Sequence, residues 1–236
     1  MGRFRGSFAE VTAAELATTV LQEIAARAGL AEGDVDDVVL GQCYPNGEAP
    51  AIGRVAALDA GLGTGVPGLQ IDRRCGSGLQ AILHGVMQIA SGSARLVVAG
   101  GVESMSQVEH HALGLRGGIK GEGVQLMDSL ARGRVTTGGT RHPVDGGMVE
   151  TAENVRRDFG ISRESQDELA LRSQQAWTAA HDQGKFDAEI VSVQIPGKRG
   201  AGPALISIDE HPRPQTTRDE LASLRPMRIK LDRTPP

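Results

Sequence analysis

Hydrophobic positions along this chain follow two periods, one helical and one strand-like, and the switches between them outline its elements. Leu16, Val20, Leu21 and Ile24 recur at spacings of three and four, which predicts a helix over 13–28. Thr12 stands three residues before Glu15 and Gly29 follows the last turn, a capping box at one end and a glycine stop at the other. VDDVVLGQ predicts a strand over 35–41, the run to Gly61 a short helix over 50–61, and GLQID a strand over 68–72. From Gly76 to about Gly92, Leu79, Ile82, Leu83, Val86, Ile89 and Ala90 define a helix with one apolar stripe. RLVVAGGVE then predicts a strand over 95–103, so uniformly apolar that burial on both faces is expected. Strand, helix and strand within one short span make a right-handed βαβ crossover. Cys75 falls at the carboxyl end of its first strand, expected to be buried, where open α/β sheets place ligands.

Past residue 107 the texture changes. Glycine pairs at Gly117-Gly118, Gly138-Gly139 and Gly146-Gly147 predict loops. Helical patterning returns at 151–159 and 162–183, the second with Ser162 as cap and Asp167 and Glu168 near its start. EIVSVQI predicts a strand over 189–195, a Gly/Pro-rich stretch runs to Pro214, and a short helix is expected over 217–224. The reading is α/β: a layered sheet domain over 1–107, a loop-rich inserted α/β domain over 108–228 and a divergent tail over 229–236.

Composition narrows the function. The 236 residues are 39% hydrophobic and 23% charged, enough for a sizeable core. A net charge of −4 supplies no general basic field, so nucleic acid is not the expected partner. Apolar runs fall short of the roughly 20 residues that span a bilayer, and MGRFRGSFAE lacks the apolar segment of a secretory signal; no membrane partner is expected. Two cysteines, Cys43 and Cys75, make no disulfide framework, which points to a reducing, cytoplasmic setting.

The chemistry gathers on QIDRRCGSGLQAIL. A free thiol is only about 3% ionised at neutral pH, so a nucleophilic cysteine needs support. A helix start offers unpaired N–H groups and a favourable dipole end. Gly76 and Gly78 leave room for a substrate carbonyl or another chain to approach the sulfur, and at most one of Arg73 and Arg74 faces it. Two roles fit this local pattern: an activated nucleophile, or a small buried core residue.

RRCGSGLQAI followed by VVAGGVESMSQ resembles the catalytic-cysteine segment of the thiolase family, the acetyl-CoA acetyltransferases and 3-ketoacyl-CoA thiolases. GRFRGSFAEVTAAEL, DVVLGQCYPNGE, GMVETAENVRRDFGISRESQDELALRSQQ, GKFDAEIVSV and DEHPRPQTTRDELASLRP resemble further thiolase segments in the same order. The resemblance implies that Cys75 carries an acyl group between acyl-CoA and CoA, in thiolytic cleavage of 3-ketoacyl-CoA or in Claisen condensation, the chemistry of fatty acid metabolism. It implies no covalently bound cofactor and no metal, with coenzyme A as substrate. It also implies that Met148 forms a pocket wall and that Arg213, in HPRP, contacts the CoA nucleotide.

Departures from the family pattern qualify this. The histidine of an NxxGGAxAxGHP segment and the second cysteine of a CxGGG segment do not occur, nor does a first strand before GRFRG. Asp72 stands where asparagine is common, and Gly147 precedes Met148 where many members have histidine. His84 lies nine residues beyond Cys75, about 13 Å along a helix, out of reach of the sulfur. His110, His111, His142, His181 and His211 show no metal-ligand spacing, Cys43 is read as structural, and Glu103 and Ser104 either line a site or hold a turn. The expectation is an acyltransferase completed by a C-terminal core domain, with a homo-oligomer or a complementary C-terminal thiolase chain as partner; the alternative is a non-catalytic remnant or CoA-binding partner subunit.

Overall fold

The computed structural model describes residues 1–119, 121, 123–143, 146–197 and 202–226, and the tail read over 229–236 lies outside these. The described residues fall into two compact units, those within Gly2–His110 and Val191–Ile208, and Met1 with those within His111–Ile190 and Asp209–Pro236.

The first unit is built on three parallel strands in the order β2-β1-β3, with β1 at Asp37–Gly41, β2 at Gly68–Ile71 and β3 at Val97–Gly101. Val38 pairs with Gly68 on one side and Val98 on the other, so the carboxyl ends of all three strands finish together at Gly41, Ile71 and Gly101. The preceding helix α1, Ala13–Ala28, starts on the anticipated capping box, with the Glu15 N–H donating to Thr12 Oγ1 (3.2 Å) and the Thr12 N–H to Glu15 Oε2 (2.8 Å). It ends on Gly29 at φ 65°, a left-handed turn that suits glycine.

Side-chain alternation divides the sheet's two faces. Val38 and Leu40 join Ala17 and Leu21 of α1 and Ile52, Ala56 and Ala57 of helix α2 (Ile52–Asp59) in one apolar core. Helix α3, Ser77–Ala90, packs on the sheet through Ser77, Ala81 and Gly85, its three buried positions. These recur every fourth residue, on the side opposite the apolar stripe. Small residues permit a very close approach: a Cβ on Gly41 would lie 2.5 Å from the Ser77 carbonyl carbon. Leu79, Ile82, Leu83, Val86, Met87 and Ile89 therefore point away from the sheet and remain 48–64% exposed.

Two burial expectations are corrected. β3 is only half-buried and β2 likewise, whereas β1 is buried throughout. Among the described residues β2 and β3 each have a single neighbour in the sheet, so apolar composition does not enclose them, whereas the central strand is covered on both sides.

Residues 110–111 and 127–128 form the two-residue strands β4 (His110–His111) and β5 (Met127–Asp128). Helix α4, Ser129–Thr136, occupies part of the region read as loops; Asp128 caps it by accepting the Leu130 N–H at 2.8 Å. Helices α5 (Met148–Asp158), α6 (Arg163–Asp182) and α7 (Arg218–Ser223) follow the patterning closely, although α5 begins three residues earlier than read. Strand β6, Val193–Ile195, is shorter than the predicted run and pairs antiparallel with β7, Ala204–Ile206, inside the stretch read as irregular.

Candidate active site

β2 ends at Ile71 and α3 begins at Ser77, so residues 72–76 must reverse direction within one tight connection. The Gly76 N–H donates to the Arg73 carbonyl (3.1 Å) and the Ser77 N–H to the Arg74 carbonyl (2.9 Å). Ser77 Oγ completes the turn, donating to the Arg74 carbonyl at 2.6 Å and accepting the Arg73 N–H at 2.8 Å. Cys75 occupies the crest and is exposed. The core role left open by its local pattern is therefore wrong, because the turn lifts the thiol off the edge strand. Gly78, one helical step further on, has nothing within 4 Å of where a Cβ would stand. The thiol thus stands two residues before α3, whose first turn leaves open space at Gly78 while the Gly76 and Ser77 N–H groups are taken by the turn itself.

Neighbouring residues brace this turn. The Asp72 carboxylate accepts the Arg74 N–H at 2.8 Å. The Arg74 guanidinium donates to the Cys43 carbonyl at 3.0 Å and lies 5.6 Å over the Tyr44 ring. Arg74 thus faces the loop after β1. Cys43 is half-buried, with its sulfur 3.7 Å from Ser77 Oγ, and burial pushes its thiol above the ordinary value. Glu103 accepts the Cys43 N–H at 2.7 Å, and burial raises its carboxyl too. Ser104 donates to the Val11 carbonyl at 2.7 Å. Both residues after β3 hold the backbone near them, and both also line the cavity beside the site, so the two roles left open for them are filled together. Pattern reading missed the bracing by Tyr44 and Ser77; the serine between the two glycines was its only visible sign.

Beside the bracing lies a cavity of about 340 Å³ lined by Thr12, Gln42, Tyr44, Glu48 and Glu103 among others; Cys75 does not line it. Met148 and Arg213 belong to the other unit. Met148 opens α5 and is exposed. The Arg213 N–H donates to Gln174 Oε1 of α6 at 2.7 Å, and the Thr216 hydroxyl donates to its carbonyl at 2.8 Å, fixing the backbone of an exposed arginine. Of the histidines, His84 is half-buried on α3, His111 Nδ1 lies 2.6 Å from Ser129 Oγ and His181 stacks on Trp177 at 4.7 Å. Among the described residues no group of three His, Cys, Asp or Glu is placed to hold a metal ion, and no helix is long and apolar enough to cross a membrane.

Comparison with known proteins bears on the fold and the family. The chain is 38% identical to an acetyl-CoA acetyltransferase of Shinella zoogloeoides and 39% identical to one of Rhizobium meliloti, over 96% of its own length and 56% of theirs. It thus spans about half the length of the curated relatives it matches. The crystal structure of the Bacillus anthracis acetyl-CoA acetyltransferase superposes with a TM-score of 0.85 at 39% identity, covering 95% of this chain and 55% of that one. The family model described as Thiolase, N-terminal domain, matches residues 1–231, and the chain belongs to the thiolase family.

Proposed function

We propose that this chain performs thiolase-type acyl transfer between acyl-CoA and CoA, with Cys75 as the acyl carrier. The observation that carries the proposal is the exposed thiol on a tight turn between a parallel strand and the first turn of α3. In the cleaving direction the Cys75 thiolate attacks the 3-keto carbon. The bond between the second and third carbons breaks, its electron pair passes to the departing acyl-CoA as an enolate, and that enolate takes up a proton. The sulfur of CoA then attacks the thioester, releasing a second acyl-CoA and returning Cys75 to its thiol. Condensation is the same sequence reversed. Met148 and Arg213 are proposed to contact the CoA, the arginine through the fit of a guanidinium to phosphate.

Proton transfer at the α-carbon needs groups that the described residues do not bring to Cys75. The uncovered side of α3 supports their arrival on a second thiolase half, carried by the same polypeptide or by a complementary chain. Six large apolar residues stand half-exposed on one helix face, and covering them would contribute on the order of 5–10 kcal/mol. A cytoplasmic setting and a homo-oligomer complete the proposal.

Thiolysis of acetoacetyl-CoA by CoA tests it, comparing this chain alone, this chain with the C-terminal half of a relative, and the same mixture with Cys75→Ala. Acetyl-CoA formation in the mixture, abolished by Cys75→Ala, is the expected result. CoA binding without turnover in the mixture would instead assign a non-catalytic, CoA-binding role.

A further inference from the structure

We infer that Arg74 is a positioning residue: by clamping the turn that precedes α3 onto the loop after β1, it fixes where Cys75 presents its sulfur. The inference rests on the reading of Cys75 as the acyl carrier.

Arg74 takes a left-handed backbone conformation at φ 49°, one of three non-glycine residues with positive φ among the described residues. An arginine is strained there, and such a conformation persists only where its surroundings determine it. Here they do so on every side. The Asp72 carboxylate accepts the Arg74 N–H from two residues back, at 2.8 Å, the local bond by which aspartate stabilises turns. Ser77 closes on the Arg74 carbonyl through both its hydroxyl and its N–H, at 2.6 and 2.9 Å.

Beyond the turn, the guanidinium reaches the Cys43 carbonyl at 3.0 Å, the Tyr44 ring at 5.6 Å and the Asp72 carboxylate at 3.7 Å. The planar fork of arginine can hold a carbonyl, a carboxylate and an aromatic face at once. Its anchor is itself fixed, because Glu103 accepts the Cys43 N–H at 2.7 Å. The chain of contacts from Glu103 through Cys43 to Arg74 ties the ends of β1 and β3 to the residue immediately before the nucleophile. A sulfur held from a neighbouring residue is set against its substrate by that neighbour, and a small misplacement is expensive in rate.

Hydrogen exchange, acetylation and alkylation of Arg74 variants of the whole chain test this. In Arg74→Leu, amide exchange at Gly76 and Ser77 should quicken by about tenfold or more, while β1 and the body of α3 keep wild-type protection. Acetylation of Cys75 by acetyl-CoA should slow by a similar factor, with alkylation by iodoacetamide, which needs no docking, changed less than about twofold. Arg74→Lys should recover part of both losses. Arg74→Gly removes the clamp while suiting the backbone angle, so it stands in if Arg74→Leu does not fold. Unchanged exchange in the turn, or a loosened turn with undiminished acetylation, would overturn the inference. If wild-type Cys75 takes no acetyl group either alone or with a C-terminal thiolase half, the acyl-carrier reading fails, while the exchange arm still decides whether the clamp exists.

Discussion

Glu103 and Cys43 meet across the carboxyl ends of two neighbouring strands, the Cys43 N–H donating to Glu103 Oε2 at 2.7 Å. Burial holds the Glu103 carboxyl above its ordinary value of 4.5, outweighing the pull of the N–H donors of Cys43 and Tyr44. The folded chain therefore keeps a proton that the unfolded chain has already released. The associated stability is complete below about pH 4.5 and is lost as pH rises through the raised value. Glu103→Gln imitates the protonated acid and retains a carbonyl acceptor, so its stability should fall less over that interval. Urea unfolding at a series of pH values checks this, and an unchanged slope would refute it.

The two thiols should separate in reactivity. Burial raises the Cys43 thiol, with a smaller opposing effect from Ser77, and leaves it half-covered, whereas Cys75 is exposed. At neutral pH iodoacetamide should modify Cys75 first, as resolved by peptide mass spectrometry. Equal or reversed rates would contradict the exposed crest described for Cys75.

Two glycines of the site should respond to alanine with opposite signs. A Cβ on Gly41 would meet the Ser77 and Gly78 backbone at 2.5 and 2.6 Å, and neither atom can yield without moving α3 off the sheet. Gly41→Ala should cost about 2 kcal/mol or more. Gly78 has open space around it within α3, and Gly78→Ala should stabilise the chain by roughly 0.5–1 kcal/mol. Denaturant midpoints decide both; a tolerated Gly41→Ala would refute the close approach.

The outward face of α3 should be dispensable for folding and necessary for association. Val86→Lys and Leu79→Glu replace residues that are 57% and 64% exposed, so each should leave the unfolding midpoint within about 0.5 kcal/mol of wild type. Sedimentation should show weaker self-association or weaker capture of a C-terminal thiolase half. A loss of several kcal/mol would mean that these side chains belong to this chain's own core.

The order of elements through β3 was readable because period, capping box and glycine stop agreed, as at Thr12, Glu15 and Gly29. Burial was less readable. DVVLG and VVAGG look alike as apolar strands, yet sheet order encloses one and leaves the other at an edge. The stripe on α3 marked an apolar face without revealing that the small residues Ser77, Ala81 and Gly85 face the sheet. Helix α4, with the sequence SLARGRVT, has too few apolar positions to show a period. Within the site, Cys75 was legible from its glycines and neighbouring motifs. The left-handed Arg74 was not, because arginine gives no sign of positive φ and its partners come from a different loop.

Whether Cys75 carries the acyl group is decided by incubating the chain with acetyl-CoA and mapping adducts by peptide mass spectrometry, with Cys75→Ala as control and with and without a C-terminal thiolase half. An acetyl thioester should form on Cys75, be removed by added CoA and be absent from the variant. A chain that remains unmodified at Cys75 under both conditions, or that is acetylated only elsewhere, would contradict that role.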